Sequence, residues 1–413
     1  MTLQVTDESS VLIVGAGAAG AEAARSLRRL GFGGHIHMVG AEGLAPYERP
    51  PLSKEALTGD DPEPTWLLDA ARLRDLRIDS RLDDPVVSLD IHSHSVRLAS
   101  SERIRFDLAL IATGAEPRRL SLPGADLPGV ISLRSYSDAR AIREKMAAGG
   151  RIVIIGGGFI GLEVAAAARA NHCAVSVIEA GSQLMGRVVP KSIADIFAAE
   201  HRRKGVELEL GRRPTRLLGS RTVEAVELDD GRVIPATAIV VGIGVTPRVA
   251  LAEQAGARTD DGILVDTNCQ TSVSGIFAAG DCCRMSLGEE RRTRVEAWQS
   301  ALDQGGRAAR GMLGLNQPAP EPPWMWSDQY DLQLQAAGAP TRVDQIVQRG
   351  DPDKRELTCF QLHERHLVGV IAVNRRRDVA AVRRALHRRA IVDPASLTDE
   401  SQTLRHLLSE ETV

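Results

Sequence analysis

The chain has 413 residues, too many for one ordinary hydrophobic core, so two or three domains are expected. Its 43% hydrophobic and 25% charged residues are those of a globular protein, and a net charge of −3 argues against a general nucleic-acid binder. No apolar run is long enough to span a bilayer, and the polar residues 1–10 lead directly into an apolar run without a signal peptide. Cytoplasmic residence, with no membrane and no nucleic-acid partner, is the expectation.

In chain order, Val-Leu-Ile-Val at 11–14 reads as a buried strand, followed by Gly15-Ala-Gly17-Ala-Ala19-Gly20, a helix over about 18–30 and a strand at 36–39. In a strand–turn–helix of this kind the first glycine permits the turn. The second lets backbone approach a pyrophosphate, and the third lets helix and strand pack closely. Residues 45–54 carry too much proline for a regular element and read as an ordered loop. An apolar strand at 108–112 ends in Thr113-Gly114. The strand–turn–helix then recurs: residues 152–155 run into Gly156-Gly-Gly158-Phe-Ile160-Gly161, with a return strand at 175–178. One such fingerprint is weak evidence. Two on one chain imply two bound nucleotides and hence an electron relay.

A further strand at 238–241 ends in Gly242-Ile243-Gly244, and residues 275–281 read as strand then turn. A helix is predicted from near Glu296 to about Leu313, and the proline-rich residues 317–323 as a linker. Beyond the linker, Leu332 and Leu334 alternate, residues 357–362 and 367–373 flank a turn, and Val379, Val382 and Leu386 mark a helix face. The predicted class is α/β: two Rossmann-like nucleotide-binding domains plus an α+β C-terminal domain. The five cysteines, Cys173, Cys269, Cys282, Cys283 and Cys359, form no CxxC pair and no zinc spacing. The vicinal Cys282-Cys283 pair suits burial better than a disulfide, and residues 39–54 hold no cysteine, so neither thiol chemistry nor a metal site is expected.

Four segments carry a family resemblance: Pro46-Tyr-Glu-Arg-Pro-Pro-Leu-Ser-Lys54, Gly156-Gly-Gly-Phe-Ile-Gly-Leu-Glu163, Ile276-Phe-Ala-Ala-Gly-Asp281 and Trp324-Met-Trp-Ser-Asp-Gln-Tyr330. They make the chain resemble flavoproteins of the glutathione-reductase superfamily, and within it the NADH-dependent ferredoxin reductases of bacterial oxygenase systems. The resemblance implies that the first fingerprint holds FAD and the second NADH. It implies an FAD domain of 1–115 and 246–320, an NADH domain of 116–245 inserted between, and a C-terminal domain of 321–413. Electrons would pass from NADH through FAD to a 2Fe-2S ferredoxin serving a Rieske oxygenase or a cytochrome P450. A rubredoxin reductase or NADH oxidase of the same fold, and a flavin redox-sensing interaction protein, remain alternatives. A monomer or weak dimer is expected.

For FAD the resemblance implicates Gly15, Gly17, Ala19, Gly20, Arg49, Lys54, Val86, Thr113, Gly114, Arg134 and Asp281, the last suited as a carboxylate to the ribityl hydroxyls. It also implicates Glu296 and Trp298 in the first turn of a helix aimed at the flavin, where Trp298 reads as a flavin contact or a core aromatic. Several relatives have Asp directly after the Val-Gly pair; here Val39-Gly40 is followed by Ala41 and Glu42, and the adenosine-ribose role falls to Glu42. For NADH the set is Gly156, Gly158, Ile160, Gly161, Glu163, Glu179, Arg187, Gly242, Ile243 and Gly244. Glu179 ends the return strand, where a carboxylate accepts from ribose hydroxyls and repels a 2′-phosphate, so NADH rather than NADPH is expected. Lys54 and Glu163 are the expected catalytic ion pair beside the flavin. Arginines 375–377, 383, 384, 388 and 389 are the expected docking surface for an acidic ferredoxin, with Trp324 and Trp326 between flavin and surface or in the core.

Overall fold

Val11, Leu12, Ile13 and Val14 are all closed to solvent, as a strand covered on both faces of a parallel sheet must be. In the computed structural model, which describes residues 6–59, 62–286 and 292–409, strand Ser10–Val14 is the middle of a five-stranded sheet. The order is Ile276–Ala278, Leu108–Ile111, Ser10–Val14, His35–Val39, Ile78–Arg81, with every neighbouring pair parallel. Residues 1–5 of the polar N-terminal stretch lie outside the described residues. By contacts the chain divides into two units, the first of Met1–Arg49, Pro64–Glu116 and Val245–Pro323, the second of Pro50–Glu63, Pro117–Gly244 and Trp324–Val413.

The first unit is built around that sheet. Helix Ala18–Arg29 buries its alanine face, Ala19, Ala21, Ala23 and Ala24 with Leu27, against the strands. It crosses helix Trp298–Met312 so closely that a Cβ on Gly305 would lie 2.3 Å from the Ala19 carbonyl oxygen. Glycine is required there because two helix backbones touch. A three-stranded antiparallel meander, Val86–Asp90, Ser95–Leu98 and Arg103–Arg105, intervenes between the third and fourth strands of the sheet.

The second unit repeats this plan. Its parallel sheet runs Val206–Leu210, Ala174–Glu179, Arg151–Ile155, Ala238–Val241, Val130–Ser132, and its own meander is Pro214–Leu218, Ala225–Leu228 and Val233–Pro235. The repeated unit therefore extends beyond the βαβ fingerprint to a meander inserted at the same point. The fifth strand differs in origin: in the first sheet it comes last in the chain, in the second it comes first.

Residues 324–373 form a five-stranded antiparallel sheet in the order Trp324–Gln329, Leu332–Ala337, His366–Val373, Glu356–His363, Gln345–Asp351. Helix Arg376–Arg388 lays Val379, Val382 and Ala385 on it around Phe360. The buried Arg349 donates to the carbonyls of Leu397, Asp399 and Gln402, fixing the tail across the sheet.

Residues 50–63 were expected in the first nucleotide-binding domain; those of them described, 50–59 and 62–63, fall in the second unit, and so do 324–409. Among the described residues, no helix is long and apolar enough to cross a membrane, and no cluster of His, Cys, Asp and Glu could hold a metal ion.

Candidate active site

In the first unit Gly15 has φ +123, and a Cβ there would stand 2.1 Å from the Ala112 carbonyl oxygen; at Gly20 it would stand 2.0 Å from the Gly15 carbonyl oxygen. At Gly17 a Cβ would meet nothing within 4 Å. Two glycines are thus demanded by the fold, and the third borders open space at a helix N-terminus. Helix Ala18–Arg29 has no side-chain cap and no acidic residue in its first turn. Its leading N–H groups and the positive end of its dipole are left for an anion. The turn at Gly280 (φ +86) donates its N–H to Gln304 at 2.7 Å, which holds the following Asp281 in place. Burial works against the Arg49 charge, but Tyr47, Glu42 and Asp281 outweigh it and raise its pKa. Arg49 donates to Glu42 at 2.5 Å, and Tyr47 donates to the same carboxylate. These residues fit a flavin dinucleotide: an open amide cradle for the diphosphate, a guanidinium to balance its charge and a carboxylate for hydroxyl donors.

The second unit carries the same cradle. A Cβ on Gly156 (φ +112) would stand 2.4 Å from the Gly242 carbonyl oxygen, one on Gly161 2.2 Å from the Gly156 carbonyl oxygen, and one on Gly158 in open space. Helix Phe159–Ala170 likewise begins without a side-chain cap or a first-turn acid. Glu179 accepts from Gly157 N at 2.7 Å and from Gly181 N at 2.6 Å, so its carboxylate is fixed at the rim of the cradle. Ile160 leaves 47% of its surface open, Ile243 is half-buried, and the Arg118 and Arg187 side chains flank Gly244.

The two cradles differ at the end of the return strand. Gly156 N bonds to Ile178 O and Gly15 N to Val39 O, so the residue matching Glu179 in the first unit is Gly40. Glu42 comes two residues later, exposed and joined to Tyr47 and Arg49.

Lys54 Nζ lies 3.0 Å from Glu163 Oε2, and Ser53 Oγ donates to that same oxygen at 2.5 Å. Ser327 Oγ donates to Glu163 Oε1 at 2.6 Å. A buried carboxylate costs several kcal/mol unless it is paired and hydrogen-bonded, and here both oxygens are served. Ser53 and Ser327 were missed in the sequence reading. Ser327 lies in a segment noticed for its tryptophans, and strand alternation puts it on the opposite face from them.

The other candidates sit as follows. Thr113 Oγ1 donates to Arg248 O at 2.8 Å, and Gly114 (φ +66) accepts from Arg248 N. Val86 is half-buried against the first core, and Ala19 is buried at the helix crossing. Arg134 precedes a capping box in which Ser135 and Asp138 close helix Tyr136–Ala147. Glu296 lies just outside its helix, exposed and ion-paired with Arg294, while Trp298 is the first helical residue.

Arg383 corrects an expectation. It is half-buried, with its guanidinium 5.4 Å from the centre of the Trp324 ring, which in turn stacks on Trp326 at 5.1 Å. Arg375 is likewise engaged by Asp378 and Glu400. Arg376, Arg377, Arg384, Arg388 and Arg389 are exposed.

All five cysteines are buried with free thiols. Burial pushes Cys269 up to about 12 and Cys282 and Cys359 to about 11, and raises Cys173 and Cys283 as well.

The pyridine nucleotide-disulphide oxidoreductase profile matches residues 9–305, and the reductase C-terminal profile matches 324–408. The chain is 39% identical over 400 residues, 97% of its length and 98% of the relative's, to the ferredoxin–NAD(+) reductase component of the p-cumate 2,3-dioxygenase system of Pseudomonas putida. Among solved structures it is similar to the ferredoxin reductase for the CYP199A2 system from Rhodopseudomonas palustris, with TM-score 0.93, 37% identity and coverage of 97% of this chain and 100% of that one. It is also similar to the covalent putidaredoxin reductase–putidaredoxin complex, with TM-score 0.94, 31% identity and coverage of 98% and 99%. Two nucleotide cradles and a match along nearly the whole length lead to one conclusion: the chain belongs to the pyridine nucleotide-disulphide oxidoreductase family and is an oxidoreductase using FAD and NAD(H).

Proposed function

We propose that this chain is a cytoplasmic NADH-dependent ferredoxin reductase, taking electrons from NADH and passing them by way of FAD to a 2Fe-2S ferredoxin that feeds a Rieske oxygenase or a cytochrome P450. The observation that carries this reading is two nucleotide cradles on a chain whose thiols are all shut away. A disulfide-reducing relative needs an accessible thiolate, and here burial keeps every thiol protonated and out of reach. With no accessible thiol to receive them, the electrons go to an external acceptor, and relatives over nearly full length are named ferredoxin–NAD(+) reductase components. Free thiols also suit a reducing compartment.

Bound FAD supplies the conversion of an electron pair into single electrons, which no side chain can perform. The protein's part is binding and charge placement. Gly17 and Gly158 leave room for the two diphosphates, and the uncapped helices behind them offer N–H groups. Glu179 receives ribose hydroxyls and opposes a 2′-phosphate. Glu42 and Asp281 serve the hydroxyls of FAD. The Lys54 ammonium, aligned by Glu163, offsets negative charge as electrons arrive.

The test is NADH-driven reduction of cytochrome c with the purified holoprotein. Turnover that depends on an added 2Fe-2S ferredoxin supports the reading. NADH consumption directed to oxygen or to rubredoxin, with none to ferredoxin, replaces it, and failure to turn over with any carrier points to a sensor.

A further inference from the structure

Five side chains of the second unit form one hydrogen-bonded file that ends on Glu163. Tyr330 Oη lies 3.2 Å from His201 Nδ1, and His201 Nε2 lies 2.9 Å from Gln329 Oε1. Gln329 Nε2 donates to Ser327 Oγ at 3.1 Å, and Ser327 Oγ donates to Glu163 Oε1 at 2.6 Å. His201, Gln329 and Ser327 have no exposed surface. Ser327 and Gln329 are two apart on one strand and share its inner face, and His201 comes from the last turn of helix Lys191–Arg203. Tyr330 holds φ +57 in the tight link to strand Leu332–Ala337, a costly conformation for an aromatic residue that places its hydroxyl on the ring.

Chemistry fixes the direction of every bond. A carboxylate paired with an ammonium accepts only, so the Ser327 proton points to Glu163. The Ser327 oxygen must then accept, which orients the Gln329 amide nitrogen toward it and the carbonyl oxygen toward His201. His201 Nε2 therefore bears the proton, and Nδ1 of the neutral ring takes the Tyr330 hydroxyl. All four donors point toward Glu163, the arrangement in which each bond polarises the next.

We infer that Ser327, Gln329, His201 and Tyr330 are positioning residues, a one-way hydrogen-bond file that holds the Glu163 carboxylate aligned on Lys54. The inference rests on the reading of Lys54 and Glu163 as the redox pair. Burial lowers the His201 pKa against the pull of Gln329 and Glu200, which keeps the ring neutral as the file requires. Burial raises the Tyr330 pKa, which keeps it a donor. The charges around the outer end are matched: Glu200 binds Arg203 and Arg355, Arg355 binds Asp331, and Lys204 sits over the Tyr330 ring.

Imidazole 15N NMR on the full-length holoprotein tests this without any substitution. The His201 ring should be a single neutral tautomer, protonated at Nε2 and hydrogen-bonded at Nδ1, throughout neutral pH. Ser327→Ala should shift the His201 nitrogen resonances from two hydrogen bonds away. It should also lower kcat per bound FAD with ferricyanide about tenfold, the worth of one hydrogen bond to a charged group, with KM for NADH unchanged. Ser327→Thr should restore both. Tyr330→Phe, at the outer end, should move Nδ1 most and Nε2 to a smaller extent, and serves if Ser327→Ala does not fold. An Nδ1–H tautomer overturns the inference, as does a Ser327→Ala protein with normal kcat per FAD and only a lowered Tm. If Lys54→Ala leaves flavin reduction by NADH unchanged, the redox-pair reading fails on its own while the tautomer result stands.

Discussion

Lys54 Nζ stands 3.0 Å from Glu163 Oε2, with 16% of the lysine side chain and 3% of the glutamate side chain open to solvent. The two ends of this pair are unequally supported. Without Lys54 the carboxylate keeps the Ser53 and Ser327 hydroxyls; without Glu163 the ammonium keeps, among the described residues, only the Pro50 carbonyl at 3.5 Å. Glu163→Ala is therefore expected to cost more stability, about 3–5 kcal/mol, than Lys54→Ala. Lys54→Ala should retain FAD and slow flavin reduction by NADH roughly a hundredfold. Urea unfolding and stopped-flow absorbance check the two halves, and reversed stability costs or an unchanged rate would refute them.

The glycines separate folding from binding. Gly17→Ala and Gly158→Ala meet no protein atom and lie at negative φ, so both proteins should fold. The first should lose FAD affinity and the second NADH affinity. Gly20→Ala and Gly161→Ala would drive a methyl into a carbonyl oxygen and should fail at expression. Flavin content and NADH titration of the soluble variants distinguish these outcomes.

NADH should be preferred over NADPH by at least about tenfold in kcat/KM, since a 2′-phosphate would face the fixed Glu179 carboxylate. Glu179→Ala should narrow that ratio and also lower Tm, because two backbone N–H groups lose their acceptor. Equal use of both nucleotides by the unaltered protein would remove Glu179 from the specificity argument.

Ferredoxin docking is expected on the exposed side of helix Arg376–Arg388. Arg377 and Arg384 are two helical turns apart on one face and exposed. Reversing both to glutamate should raise KM for ferredoxin several-fold and flatten its salt dependence, with ferricyanide reduction intact. Arg383→Glu should instead damage the packing on Trp324. Ferredoxin kinetics indifferent to the double reversal would place docking elsewhere.

Stability should show a plateau in pH. His201 is depressed in the fold, so its contribution is present above its ordinary value of about 6.5 and lost as pH falls. The thiols are raised, so theirs is complete below about 9 and lost as pH rises from there toward about 12, at up to about 1.4 kcal/mol per pH unit per thiol. Urea midpoints across pH should decline on both sides, and His201→Phe should flatten the acid side. A native protein whose thiols are alkylated readily at pH 8 would contradict the alkaline half.

What was legible in the sequence was local. Each glycine triad sits directly behind an aliphatic run, so strand, turn and helix follow within a few residues, and the parallel sheets follow from those. What escaped depends on partners far along the chain. Ser327 reaches Glu163 across 164 residues, and no spacing reveals that. The family resemblance implied a place for residues 50–63 in the first unit, yet Ser53 and Lys54 bind Glu163, Leu57 O accepts from Asn171, and Pro62 O accepts from Tyr136. Arg383 was counted as a surface charge because a helical face predicts exposure but not the indole that covers it.

The mismatch at the strand ends, Glu179 against Gly40, suggests different tenancies. Glu179 braces Gly157 and Gly181 with bonds internal to the protein, so the second cradle carries its own scaffolding and can be vacated without slackening. Gly40 has no side chain to act as such a strut, which leaves its place beside the first cradle open to an occupant. A nucleotide that comes and goes with every catalytic cycle belongs in the self-supporting seat, and one that never leaves can serve as part of the furniture.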